Sequence, residues 1–478
     1  MNVYIIMYKK SMRNLFAFCL AFEIIIGAAA FAQTKDTAKY VFTLQQAIDY
    51  AVKNQYSMKN ATLDEAIANA KVGETRGIGL PQISGSVQYL ANDPLRRMYF
   101  EIDPSTRSLV SGFFGVPPAN LPPNGTIITA PNFFQLPVSM DGGLSITQIL
   151  FNSSYLIGLK AAETYRELSS KSTEMTHIQV VENVTKAYYM VLVNKERLEL
   201  FDKNVIRVDS LLAETQAMNQ QGMVELVDVQ RLQVTENSIH IARENFKNLL
   251  DLSLLTLKYQ LSMPLSNELI LTQRIAEFNV DAPDDSKLMQ MNYENRIEYS
   301  LLETQKHLNE LNLKNNSWSA MPSLSAFGNL GYSTQNVNVS GITNTDLYYG
   351  YGTLGVTMNI PIFSGFQRSY RIQQSKLTLQ KSENDLANLA LGIDVQIKSA
   401  AILLKNGIST LGSQKKNMEL SAEVARVTKT KYADGVGTSL EVNTAESDLV
   451  NAQTNYFNAL YDALVAKVDY LKAVGKLK

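Results

Sequence analysis

Residues 221–230 read QGMVELVDVQ, and residues 434–443 read DGVGTSLEVN. Both run glycine, five residues, a carboxylate, then valine: Gly222 to Asp228 and Val229, Gly435 to Glu441 and Val442. Each lies inside a long span without proline. Eight of the 13 prolines fall between Pro94 and Pro137, none between 138 and 263, and none between 362 and 478. An interior proline costs a helix about 3 kcal/mol, so both spans are expected to hold long helices. Between residue 150 and Met263 the only other glycine is Gly158. A glycine midway along such a span suits the reversal point of a helical hairpin. Two matched glycines predict two hairpins in one chain.

Apolar spacing supports those helices. From Val180 to Leu212, apolar residues recur at alternating steps of four and three, interrupted only by Asn194. From Ala445 to Ala473 the same 3.5-residue period returns, the period of left-handed supercoiled packing. A second stripe, Phe457, Leu460, Leu464, Val468 and Leu471, gives this last helix two neighbours, so it belongs to a wall or bundle. Ser153 to Gln220 alone would extend about 100 Å as helix. An elongated body is expected.

Four other segments alternate with period two. In 81–89, Ile83, Val87 and Tyr89 oppose Gln82, Ser84, Ser86 and Gln88. In 143–150, Leu144 and Ile146 oppose Ser145 and Thr147. Leu324, Ala326, Leu330 and Tyr332 alternate with polar residues in 322–332, with Phe327 the exception. Leu354, Val356, Met358 and Ile360 do the same in 348–360. Each segment has the length of a tilted strand crossing a bilayer, lipid on one side and water on the other. Half-buried soluble hairpins are the alternative. Tyr89, Tyr332, Tyr348 and Tyr349 suit an interfacial aromatic belt. Four strands cannot close a membrane barrel, so spanning strands would require chains to share one.

The chain also repeats itself. IGLPQISGSVQY (78–89) matches SAMPSLSAFGNLGY (319–332), LSITQILFNSS (144–154) resembles LGVTMNIPIFSGF (354–366), and the glycine turns match at an offset of 213. The first repeat is placed at 33–289, with a helix over 43–77, strands near 81–90 and 140–150, and a hairpin over 152–262 tipped near 222. The second is placed at 290–478, with a helix over 290–318, strands near 322–332 and 347–360, and a hairpin over 366–474 tipped near 435. The first carries a longer loop between its strands, residues 91–138.

Residues 1–32 have the pattern of a secretory signal peptide. Lys9, Lys10 and Arg13 precede an apolar stretch, and Ala30-Phe31-Ala32 offers a small-x-small cleavage site. Met12 is an alternative start. Cleavage would remove Cys19, the single cysteine, leaving neither disulfide nor thiolate metal site. A formal net charge of −1 argues against nucleic-acid binding through a basic patch. No catalytic or phosphate-cradling motif is present. His177, His240 and His307 are far apart in sequence and are taken as packed or solvated. No enzyme activity, cofactor or metal is expected.

With its duplicated halves, the strand starts LPQISGS and MPSLSAF, IPIFSGFQRSYRIQQS (360–375) and GVGTSLEVNTAESDLVNAQTNY (435–456), the chain resembles the TolC family of outer membrane efflux proteins. The resemblance runs from FTLQQAIDYAVKNQ (42–55) to DYLKAVGKL (469–477). It implies a mixed α and β membrane protein with two internal repeats. Three chains would form a 12-stranded outer-membrane β-barrel, four strands from each, continued by a long periplasmic α-helical coiled-coil barrel. It implies a homotrimer in outer-membrane lipid of a Gram-negative cell, docked to a periplasmic adaptor (membrane fusion protein) and an inner-membrane pump of RND or ABC type. It makes Gly222 and Gly435 the periplasmic hairpin tips. Asp228 and Tyr432 match a carboxylate and a tyrosine that can link the hairpins, and Glu441 matches a carboxylate ringing the narrowest point. Gly437 stands where an arginine link is expected, and Thr444 where a second acidic ring is expected. The other readings are an exported helical structural or adhesin-like protein, or a periplasmic adaptor.

Overall fold

The computed structural model describes residues 39–132, 134–282 and 293–477. The signal peptide expected over 1–32, with Cys19, and residues 290–292 of the helix expected over 290–318 lie outside them. The chain forms two compact units. One comprises residues 39–62, 172–298 and 390–477 of the described chain, the other 63–171 and 299–389.

In chain order the elements begin with β1 (Lys39–Phe42), α1 (Leu44–Asn54), α2 (Tyr56–Ile78), β2 (Gln82–Ala91) and β3 (Arg97–Glu101). Next come α3 (Arg107–Phe114), β4 (Ile127–Pro131), β5 (Val138–Phe151), α4 (Ser153–Gln220), α5 (Leu226–Gln260) and β6 (Glu268–Leu271). The chain ends with α6 (Ile297–Trp318), β7 (Ser323–Asn336), β8 (Tyr349–Asn359), α7 (Gln367–Ala433) and α8 (Ser439–Ala473).

The helix expected over 43–77 is two helices, divided at Gln55. Thr43 and Gln46 form a capping box at the start of α1, and Gln55 has an extended backbone at its end. The Gln55 amide still donates to the Ala51 carbonyl (2.7 Å), while its own carbonyl accepts from the Lys59 amide (3.0 Å). One residue thus closes one helix and opens the next with both backbone groups satisfied. The break needs no proline or glycine, which is why the sequence does not announce it.

In the second unit, β2, β5, β7 and β8 form one antiparallel sheet in that order. They are 10, 14, 14 and 11 residues long. Register sorts the residues by row. Ile83, Ile146, Gly328 and Leu354 lie in line across the sheet, and the adjacent row is Ser84, Ser145, Asn329 and Thr353. Because neighbouring residues of a strand point to opposite faces, one face is apolar and the other polar along all four strands. The apolar face is bare, with Leu354 90 % exposed and Val87 73 % exposed. Phe327, which breaks the alternation, falls on the polar face above Gly355. A Cβ there would come within 2.6 Å of the Phe327 ring, so the glycine makes the notch that the ring fills. The sheet is open, with β2 and β8 each paired on one side only. In the long loop, β3 and β4 form an antiparallel pair, and Arg107 bonds the carbonyls of Pro118 (2.6 Å) and Pro122 (2.7 Å).

The first unit holds α5, α8 and the C-terminal parts of α4 and α7. Tyr188 and Leu192 of α4 pack with Leu257 of α5 and Leu464 of α8, all nearly or fully buried. Ala47 and Ala51 of α1 join this core, capped by the short parallel pair β1–β6.

Candidate functional site

The two glycine turns have the same geometry. Gly222 has φ 73° and Gly435 has φ 76°. The Met223 amide reaches back to the Met218 carbonyl (2.9 Å), as the Val436 amide does to that of Lys431 (3.0 Å). The Gly222 and Gly435 amides bond the carbonyls of Asn219 (2.9 Å) and Tyr432 (3.0 Å). This pair of bonds around a left-handed residue is a Schellman termination, where glycine avoids the Cβ clash.

After each turn the chain re-enters a helix, and the returning ends differ. Thr438 accepts from the Glu441 amide (3.2 Å) while the Glu441 carboxylate accepts from the Thr438 amide (3.2 Å). On the first hairpin Glu225 occupies the cap position without a side-chain cap. Asp228 and Glu441 both lie in a first helical turn, where a negative charge is favoured by the helix dipole.

Between the hairpins lies a small apolar cluster. Leu211 and Leu212 of α4, Val229 and Leu232 of α5, Tyr432 of α7 and Val442 of α8 are all buried in it. The tyrosine therefore packs against residues of the other hairpin. Its hydroxyl is buried with no hydrogen-bond partner among the described residues. Asp228 pairs with Arg231 of its own helix (3.6 Å) instead. Within one chain, Asp228 and Tyr432 are not hydrogen-bonded. Gly437 also has a structural reason. A Cβ there would lie 3.0 Å from the Tyr432 nitrogen and 3.2 Å from Lys431, so an arginine would have to push the turn apart.

Polar links that sequence reading did not find tie the hairpins together further along α4 and α8. Arg207 grips Glu446 with two nitrogens at 2.7–3.1 Å, and Glu446 is 1 % exposed. Asn204 donates to Gln453 (2.6 Å) and Arg197 to Asn458 (2.7 Å). Arg197 also lies over the rings of Phe246 and Phe457. Thr235 of α5 bonds Asn443 of α8. The available signal was a row of polar residues at heptad spacing: Arg197 and Asn204 on one helix, Glu446 and Gln453 on the other.

At the far end of this seam, Glu182 contacts Lys186 and Lys472, both at 2.7 Å, and Lys186 contacts Asp469 at 2.5 Å. Burial alone would raise the Glu182 carboxyl, but the two lysines outweigh it and hold it below the ordinary carboxylate value. A depressed folded-state value adds stability above the unfolded value, and that stability is lost as pH falls through the folded one. Glu182→Gln is expected to lower the thermal midpoint at about pH 7 and to leave a smaller deficit at about pH 3. Melting curves across that range test it, and a pH-independent deficit would remove Glu182 from the linkage.

The outer membrane efflux protein family matches residues 47–261 and 314–476. The chain is 21 % identical over 341 residues to the outer membrane protein TolC of Vibrio cholerae, covering 71 % of this chain and 77 % of that protein. It is 24 % identical over 148 residues to the alkaline protease secretion protein AprF of Pseudomonas aeruginosa, covering 31 % and 29 %. Its fold matches a crystal structure of CusC with a TM-score of 0.70 at 15 % identity, over 93 % of this chain and 95 % of that one.

Proposed function

Because this chain belongs to the outer membrane efflux protein family, we propose that three copies share one 12-stranded barrel above a helical tunnel, with the hairpin tips as its periplasmic gate. The protein is a channel of the Gram-negative outer membrane, not an enzyme: the exit duct of an efflux or type I secretion system. The observation that carries the reading is the open sheet. It has one apolar and one polar face, and β2 and β8 each lack a second neighbour. In lipid every such edge must be paired, so β8 of one copy meets β2 of the next. A soluble adhesin-like protein or an adaptor has no use for a sheet whose apolar face leaves Leu354 and Val87 bare.

The helices carry a matching need. On α7, Leu391, Val395 and Ile402 are about two-thirds exposed at steps of four and seven. This helix is long and apolar enough to cross a membrane, but the spaced stripe suits lateral packing against another copy. Homotrimer, adaptor and inner-membrane pump complete the assembly. The tips are its moving part. A buried hydroxyl without a partner is costly, about 1–3 kcal/mol, so Tyr432 is a ready contact for Asp228 or a neighbouring copy. Three Glu441 carboxylates around one axis would favour cations at the entrance.

Outer-membrane fractionation followed by sizing in mild detergent tests the assembly, and a soluble monomer would sink it. For the gate, Asp228→Ala or Tyr432→Ala is expected to raise single-channel conductance in planar bilayers. Unchanged conductance in both removes these residues from the latch.

A further inference from the structure

Three side chains of metal-binding type meet on the first hairpin. Glu236 and His240 lie one turn apart on α5, and Asp209 reaches them from α4. One ligand atom from each lies within 4.8 Å of the other two. His240 Nε2 is 3.2 Å from Asp209 Oδ1 and 4.0 Å from Glu236 Oε1. Zinc-type ions bind imidazole nitrogen and carboxylate oxygen at about 2.0–2.2 Å, which sets tetrahedral ligands about 3.3 Å apart. The first separation already fits, and rotation of the Glu236 side chain closes the second.

Charge points the same way. Among the described residues, neither Asp209 nor Glu236 has a lysine or arginine ion-pair partner; each contacts only the imidazole. Arg243, one turn beyond His240, is engaged by Asp202 at 2.6 Å and Glu244 at 3.7 Å. Two carboxylates therefore face one imidazole with no lysine or arginine paired to them, a donor set whose charge a divalent cation would offset. The i, i+4 spacing of Glu236 and His240 is the helical chelate spacing used by zinc-binding helices, and the third ligand comes from a different helix.

We propose that Asp209, Glu236 and His240 bind a divalent transition-metal ion of zinc type, clipping α4 to α5. The imidazole selects against magnesium and calcium, which take oxygen ligands. The side chains are 46 %, 26 % and 47 % exposed, so water completes the coordination and the ion exchanges freely. The clip lies 13 residues before Gly222 and 14 after it, about 20 Å along each helix from the turn. It fixes the two arms of the hairpin whose tip carries Asp228.

The test uses the full-length protein in detergent, stripped with chelator and titrated with Zn²⁺ by calorimetry. One Zn²⁺ per chain is expected, lost in His240→Ala and in Asp209→Asn and retained in His177→Ala and His307→Ala. Zn²⁺ should also slow amide exchange over 206–212 and 233–243 in the native protein but not in His240→Ala. Absence of stoichiometric binding, or binding undiminished by His240→Ala, overturns the site. Binding without added exchange protection overturns the clip.

Discussion

Arg207→Ala is expected to destabilise the folded chain by about 3 kcal/mol, because it leaves a buried carboxylate without its partner. Glu446 is 1 % exposed and accepts three short bonds from the guanidinium. Removing the arginine strips those bonds and cannot return the carboxylate to water without moving α8. The Arg207 side chain is itself 30 % exposed, which puts the loss at the lower end of the range for broken buried pairs. Replacing both partners separates pair energy from packing. Arg207→Met with Glu446→Leu should recover most of the loss, since isosteric apolar replacement of a buried pair is often neutral or stabilising. Lysine at position 207 should recover less, as it cannot reproduce a two-nitrogen grip. Thermal midpoints of the detergent-solubilised protein decide it. A native midpoint in Arg207→Ala would mean that the pair contributes nothing to holding the hairpins together.

Leu354→Arg is expected to cost about 2–4 kcal/mol and to reduce the amount of protein reaching the outer membrane in folded form. Leu354 lies at the centre of β8 on the apolar face, 90 % exposed, in one row with Ile83 and Ile146. An arginine at this depth faces hydrocarbon, where neither water nor a counter-ion meets it. Its neighbour Thr353 is the control, since it belongs to the polar row with Ser84, Ser145 and Asn329. Thr353→Arg changes the charge by the same amount one residue away and should be tolerated. Outer-membrane yield and heat-modifiable mobility of the two variants, compared side by side, read the difference. Equal behaviour would mean that the two faces meet the same solvent.

Much of this architecture was legible in the sequence, because it rests on patterns that run for many residues. Period-two alternation located β2, β5, β7 and β8, and the proline-free spans with Gly222 and Gly435 located the long helices and their turns. What escaped is short or non-local. β1 and β6 are four residues each, too short for a period to show, and they pair across more than 200 residues. The division at Gln55 uses backbone bonds that any residue can make. Arg207 and Glu446 lie 239 positions apart, and the heptad spacing of Glu446 with Gln453 does not say which residue each one meets. The two glycine turns were legible, but the contacts beside them were not: Tyr432 enters the inter-hairpin cluster, and Asp228 turns to Arg231 of its own helix.

The bare edges of β2 and β8 also govern how the protein reaches the bilayer. A single copy in hydrocarbon would hold two rows of backbone amides and carbonyls with nothing to bond, each costing several kcal/mol. For the shared barrel proposed above, insertion and association would form one kinetic event, whose rate would rise with more than the first power of chain concentration. Before that event the chain must be kept from pairing its edges with the wrong strand. A short peptide that pairs with β8 as a false neighbour would stop the channel at birth, without ever touching its pore.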